Sequence, residues 1–84
     1  MTKKDKLLER FFAQPKDFTY NELRTMLNGL GYKEYHLGKT SGSRVLFFNE
    51  RTGHEFKIHK PHPGNIIKTY LMKYIYEQIK ENVL

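Results

Sequence analysis

The 84-residue sequence leaves room for one domain with a small core. It contains no cysteine, which excludes disulfides and thiolate chemistry and suits a reducing compartment. Its longest uninterrupted apolar run, Val45–Phe48, is far too short to span a bilayer, and the opening MTKKDKLLERFF lacks the apolar stretch of a secretion signal, so the expected setting is cytoplasmic and away from membranes. Fifteen Lys and Arg against nine Asp and Glu give a formal charge of +6, which favours polyanions or acidic proteins as partners.

From the N-terminus, Leu7, Leu8, Phe11 and Phe12 recur at helical spacing between Lys6, Glu9 and Arg10, predicting a helix over 3–13 that Gln14-Pro15 ends. Thr19 and Glu22 form the sequence signature of a capping box, with Phe18 placed to staple onto Leu23. Leu23, Met26, Leu27 and Leu30 then form a buried stripe, and Gly29 or Gly31 supplies the stop. Tyr32–Leu37 reads as a strand, Gly38–Ser43 as a connection, Arg44–Phe48 as a second strand, Asn49–Gly53 as a turn and His54–His59 as a third strand.

In the preferred register Val45 and Phe47 join Phe56 and Ile58 inside, which puts Arg44 on the wet face with Lys57 and His59; a slip of one residue would bury a cation. The two prolines within Lys60–Gly64 break the ladder. A last helix is expected from Asn65 as N-cap, with Ile67, Tyr70, Leu71, Tyr74, Ile75, Gln78 and Ile79 on its inner stripe. The expected architecture is α+β in the order α-α-β-β-β-α, a single domain over 1–84 with the helices on one face of a three-stranded antiparallel sheet.

The central segment Gly38–Asn65 concentrates the chemistry. It holds three of the four histidines, and Lys39, Arg44, Arg51, Lys57, Lys60 and Lys68 lie in or beside it against only Glu50 and Glu55. Gly38-Lys39-Thr40 is not a phosphate-binding P-loop, since Lys33 stands where the first glycine is required; Lys39 in a loop can still touch a phosphate. His59 and His62 lack the carboxylate or thiolate neighbours that would complete a metal site, so neither metal nor cofactor is expected.

An imidazole ordinarily titrates near pH 6.5 and exchanges protons at neutral pH. His59, ending a strand close to Arg44, Lys57 and Lys60, is the leading catalytic candidate, His62 a weaker one, and His36 and His54 are expected as surface strand residues. The chemistry that suits this cluster is RNA cleavage, in which a neutral imidazole takes the 2′-OH proton and cations stabilise the charge that builds on the phosphate.

Thr19-Tyr20-Asn21-Glu22-Leu23 through Leu27 to Gly31-Tyr32, then Gly42-Ser43 opening an apolar strand, then Ile58-His59-Lys60-Pro61-His62-Pro63-Gly64-Asn65 before an amphipathic helix, resembles the HicA toxins over about residues 17–80. The resemblance implies a fold like the double-stranded-RNA-binding domain (dsRBD-like), mRNA interferase activity, and inhibition by a HicB-type antitoxin with an acidic surface. It makes residues 1–15 an additional N-terminal helix. Lys39, Ser43, Arg44, Lys57, Lys60 and Lys68, in or beside the basic central segment, are the RNA-binding candidates. The chain departs from the family at its catalytic motif. Where the family's Gly-Ser-His carries the catalytic histidine, this chain has Gly42-Ser43-Arg44, and an arginine stays protonated and cannot act as general base. Either His59 or His62 then performs the proton transfer beside Arg44, or the protein binds RNA and antitoxin without cutting.

Overall fold

The computed structural model describes residues 3–37, 44–61 and 64–83. The elements run α1 (Lys3–Phe12), α2 (Tyr20–Gly29), β1 (Tyr32–His36), β2 (Arg44–Asn49), β3 (Glu55–His59) and α3 (Thr69–Asn82). This is the expected α+β order, with one antiparallel sheet in which β2 lies between β1 and β3.

The capping box that opens α2 is complete. Thr19 Oγ1 accepts from the Glu22 backbone amide at 3.2 Å, and the Glu22 carboxylate accepts from the Thr19 amide at 3.0 Å. Of the two glycines at its far end, Gly31 makes the stop: its φ of +103° is costly for any residue with a Cβ.

In β2 and β3, Val45 is paired with Ile58 and Phe47 with Phe56, and all four are buried. The outer face of β2 and β3 therefore carries Arg44, Leu46, Phe48, Glu55, Lys57 and His59, as the preferred register requires. β2 runs one residue further than expected, to Asn49, and β3 begins at Glu55, one residue later.

Asn49 is the buried polar side chain among the described residues. Its Nδ2 donates to the Leu30 carbonyl at 3.1 Å, and its Oδ1 accepts from the Arg51 and Thr52 amides at 2.9 and 3.2 Å. One side chain thus closes the β2–β3 turn and ties it to the end of α2.

Helix α1 is an integral part of the core. Phe11 is fully buried and lies 5.5 Å, centroid to centroid, from Phe18. Arg10 reaches Asp17 at 2.8 Å and Glu22 at 3.1 Å with its guanidinium over the Phe18 ring, so the same carboxylate serves the capping box and the α1–α2 junction. Phe12, expected on the inner face, instead lies on the rim, edge-on to Tyr76.

The last helix differs from expectation at its start. α3 begins at Thr69 with Lys68 at the N-cap and no side-chain cap, because Asn65–Ile67 is drawn into extended pairing with the residues before α2. The Asn65 carbonyl accepts from the Tyr20 amide at 2.7 Å and the Ile67 amide donates to Phe18 O at 2.8 Å. Its inner stripe is Met72, Ile75 and Ile79, with Leu71 partly buried, while Tyr70 is 71% exposed and Tyr74 39%. Tyr74 lies at the edge of this stripe, its ring edge-on to Phe56.

Two substitutions test the Asn49 junction by urea denaturation. Asn49→Ala leaves the Leu30 carbonyl and two turn amides without their partner and is expected to cost about 2–3 kcal/mol. Gly31→Ala forces a Cβ onto a positive φ and to 3.2 Å from Asn49 Oδ1, and is expected to cost at least about 1 kcal/mol. Unchanged midpoints in both variants would remove this junction from the account of stability. Phe11→Ala, read in the same assay, is expected to cost about 3–5 kcal/mol, whereas a dispensable α1 would cost little.

Candidate functional site

Arg44 and His59 are direct partners across β2 and β3, at the end of the ladder, and Lys57 lies one step in on the same outer face, opposite Leu46. Antiparallel partners share a face, so the alternation that buries Val45 and Ile58 pushes all three polar groups outward. Arg44, Lys57, Ile58 and His59 line a shallow cleft of about 110 Å³. A water takes about 30 Å³ of liquid and ligand pockets run to several hundred, so this cleft suits one anionic group of a larger molecule rather than an enclosed metabolite. None of the ion pairs among the described residues involves Arg44 or Lys57, which leaves both available for an external anion. No three His, Asp or Glu side chains among the described residues gather as a metal-ligand set.

The other cations named from the sequence lie apart from this cleft. Lys60 turns over the Tyr20 ring, with Nζ 5.3 Å from its centroid. Lys68 is exposed at the N-cap of α3 and does not line the cleft. Lys39, Ser43 and His62 lie outside the described residues. Arg51 belongs to the β2–β3 turn, at the opposite end of the β2–β3 pair from Arg44.

Two histidines have different roles. His36 is exposed near Glu34, as expected of a surface strand residue. His54, expected in a similar setting, is instead half-buried between the sheet and α3. Its Nδ1 lies 2.8 Å from the Tyr32 hydroxyl and its Nε2 2.9 Å from Gln78 Oε1. A ring with its proton on Nε2 satisfies both, accepting from Tyr32 and donating to Gln78. Gln78, expected on the inner stripe of the last helix, is the side chain that reaches it. His54 is thereby a structural link, and among the described residues His59 is the imidazole on the outer sheet face, beside Arg44 and Lys57.

A second polar cluster sits on the helix side of the sheet. The Tyr20 hydroxyl donates to the Glu34 carboxylate, whose other oxygen lies 3.7 Å from Arg24 and 3.4 Å from His36. Burial, reinforced by the hydrogen bond and charge of Glu34, holds the Tyr20 pKa well above the ordinary tyrosine value; burial alone pushes Tyr32 up to about 12. Fourteen residues separate Tyr20 from Glu34, and no local motif in the sequence signals that pair. On the outer face Lys33 is raised by its 3.0 Å contact with Glu50, which neutralises that corner.

The two tyrosines predict a pH dependence with a definite sign. Their folded pKa values lie above the unfolded value near 10, so the stability they contribute is whole below about pH 10 and fades as pH rises toward 12. Urea midpoints should therefore fall between about pH 8 and about pH 11, with a smaller fall in Tyr32→Phe. A pH-independent midpoint across that range would contradict the assignment. Comparison of the chain with protein-family models, with curated proteins and with solved structures returned no match.

Proposed function

We propose that this protein is a HicA-like RNA-binding toxin with a dsRBD-like fold, which grips RNA on the Arg44, Lys57 and His59 face and cleaves it there. The observation that carries the reading is the register itself: one imidazole and two cations that have no carboxylate partner among the described residues meet at one exposed end of the sheet, in a cleft of about 110 Å³. The order α2-β1-β2-β3-α3 adds support, since it is the succession of elements that the resembled family implies.

The chemistry follows from the groups present. With a phosphodiester at Arg44 and Lys57, His59 accepts the proton of the ribose 2′-OH, and the 2′ oxygen attacks the adjacent phosphorus. The bond to the 5′ oxygen breaks, and that oxygen takes a proton from water. The products are a 2′,3′-cyclic phosphate and a 5′-hydroxyl end, and the imidazolium returns its proton to solvent. The guanidinium and ammonium stabilise the charge on the non-bridging oxygens as the transition state forms. The expected inhibitor is a HicB-type antitoxin whose acidic surface covers these cations.

A second reading, binding without cleavage, is favoured by one observation. Position 44 carries arginine, and His59 is the single imidazole lining the cleft among the described residues. A lone imidazole provides one proton transfer where in-line cleavage benefits from two.

Purified protein incubated with a defined RNA in EDTA is expected to generate cyclic-phosphate ends. His59→Ala should lower the rate by about 10²–10⁴-fold with binding little changed, and Arg44→Ala should weaken both binding and cleavage. RNA binding with no cleavage supports the second reading. Cleavage that persists at full rate in both variants moves the chemistry elsewhere, and His62→Ala then tests the remaining candidate.

A further inference from the structure

The outer face of the sheet carries more than its cations. In register across the three strands, Tyr35 lies beside Leu46 and Leu46 beside Lys57; the next row toward the turn is Lys33, Phe48 and Glu55, and the row at the opposite end is Arg44 with His59. Tyr35 is 45% exposed, while Leu46 and Phe48 next to it are half-buried on the same side. The core uses the opposite face, so these three side chains are not needed for it. An aromatic ring flanked by two apolar neighbours on an open sheet is a surface that an outside group covers.

The charge around the patch is uneven and indicates the kind of group. At the turn end, Lys33 is neutralised by Glu50, and Glu55 adds a negative charge. At the other end, Arg44 and Lys57 have no ion-pair partner among the described residues. A flat ring therefore lies between a neutralised corner and a cationic one. Strands about 4.8 Å apart and same-face neighbours about 6.8 Å apart put Tyr35 roughly 8 Å from Arg44 at the backbone, within the reach that joins a base to a phosphate of its own strand.

We infer that Tyr35, with Leu46 and Phe48 at its sides, is a stacking platform for one unpaired base of a single-stranded nucleic acid whose neighbouring phosphate is held by Arg44 and Lys57. This rests on the RNA reading of the Arg44–Lys57–His59 cleft and deepens it. In a duplex each base face is covered by its neighbours in the stack, so only the cations are touched; in a single strand a base is free to lie on the ring. The platform selects single strands by stacking and is indifferent to base identity, because every base has a π face. An acidic peptide would use the cations and leave Tyr35 without a role.

The test is fluorescence anisotropy of the full chain with a labelled single-stranded RNA, with the same RNA annealed to its complement, and with the same strand made abasic. Tyr35→Ala is expected to weaken binding of the intact single strand by about fivefold or more. Tyr35→Phe is expected to stay near wild type, and neither variant should alter binding of the duplex or the abasic strand. Arg44→Ala should weaken all three. Because Tyr35 lies outside the core, the thermal midpoint of Tyr35→Ala should match wild type and exclude misfolding as the cause. If Tyr35→Ala leaves single-strand binding unchanged while Arg44→Ala weakens it, the platform is overturned and the RNA reading stands. If no RNA form binds the wild type, both fall.

Discussion

The Asn49 side chain holds three backbone groups at once, and the geometry of the sheet follows from that. Its amide nitrogen satisfies the carbonyl at the end of α2, while its oxygen receives two amides of the β2–β3 turn. A buried amide left without such partners would cost more than the bonds it makes, so the arrangement is tightly specified rather than merely favourable. Gly31 is part of the same constraint, since it lies against Asn49 where a Cβ would press on the amide. Helix end, turn and strand end are thus locked in one relation.

With the turn length set, the pairing of β2 with β3 has one register, and the register decides everything on the outer face. A single-residue slip would exchange Arg44, Leu46 and Phe48 with Val45, Phe47 and Asn49. The slipped form would bury a guanidinium and expose three core residues, so hydrophobic burial and turn chemistry agree on the observed form. The outer face that results joins Arg44, Lys57 and His59 to the Tyr35, Leu46 and Phe48 patch. The groups proposed to hold a phosphate and to stack a base thereby share a surface that the helices leave open.

The basic residues divide by what they touch. Arg10 binds Asp17 and Glu22 and lies over Phe18, joining α1 to the cap of α2. Arg24 faces Glu34, Lys33 faces Glu50, and Lys60 lies over Tyr20. These contacts are internal, and at exposed positions each adds modestly to stability. A formal charge of +6 therefore does not by itself locate the cations that are free of internal partners; Arg44 and Lys57 make no ion pair among the described residues.

Local patterns in the sequence were sufficient for the α+β order, the Thr19–Glu22 capping box, the β2–β3 register and the outward placement of Arg44, Lys57 and His59, because each depends on spacing within one element or on burying apolar rather than charged groups. Contacts between distant segments decided the rest. Asn65 looks like a helix cap, yet backbone pairing with Phe18 and Tyr20 holds Asn65–Ile67 extended and moves the start of α3 to Thr69. His54 looks like a surface histidine until Tyr32 and Gln78 close around it. The sequence by itself determined which residue types alternate and therefore which face each strand shows; only the tertiary structure decided which polar groups are consumed by distant partners, because those hydrogen bonds join residues that no local period relates.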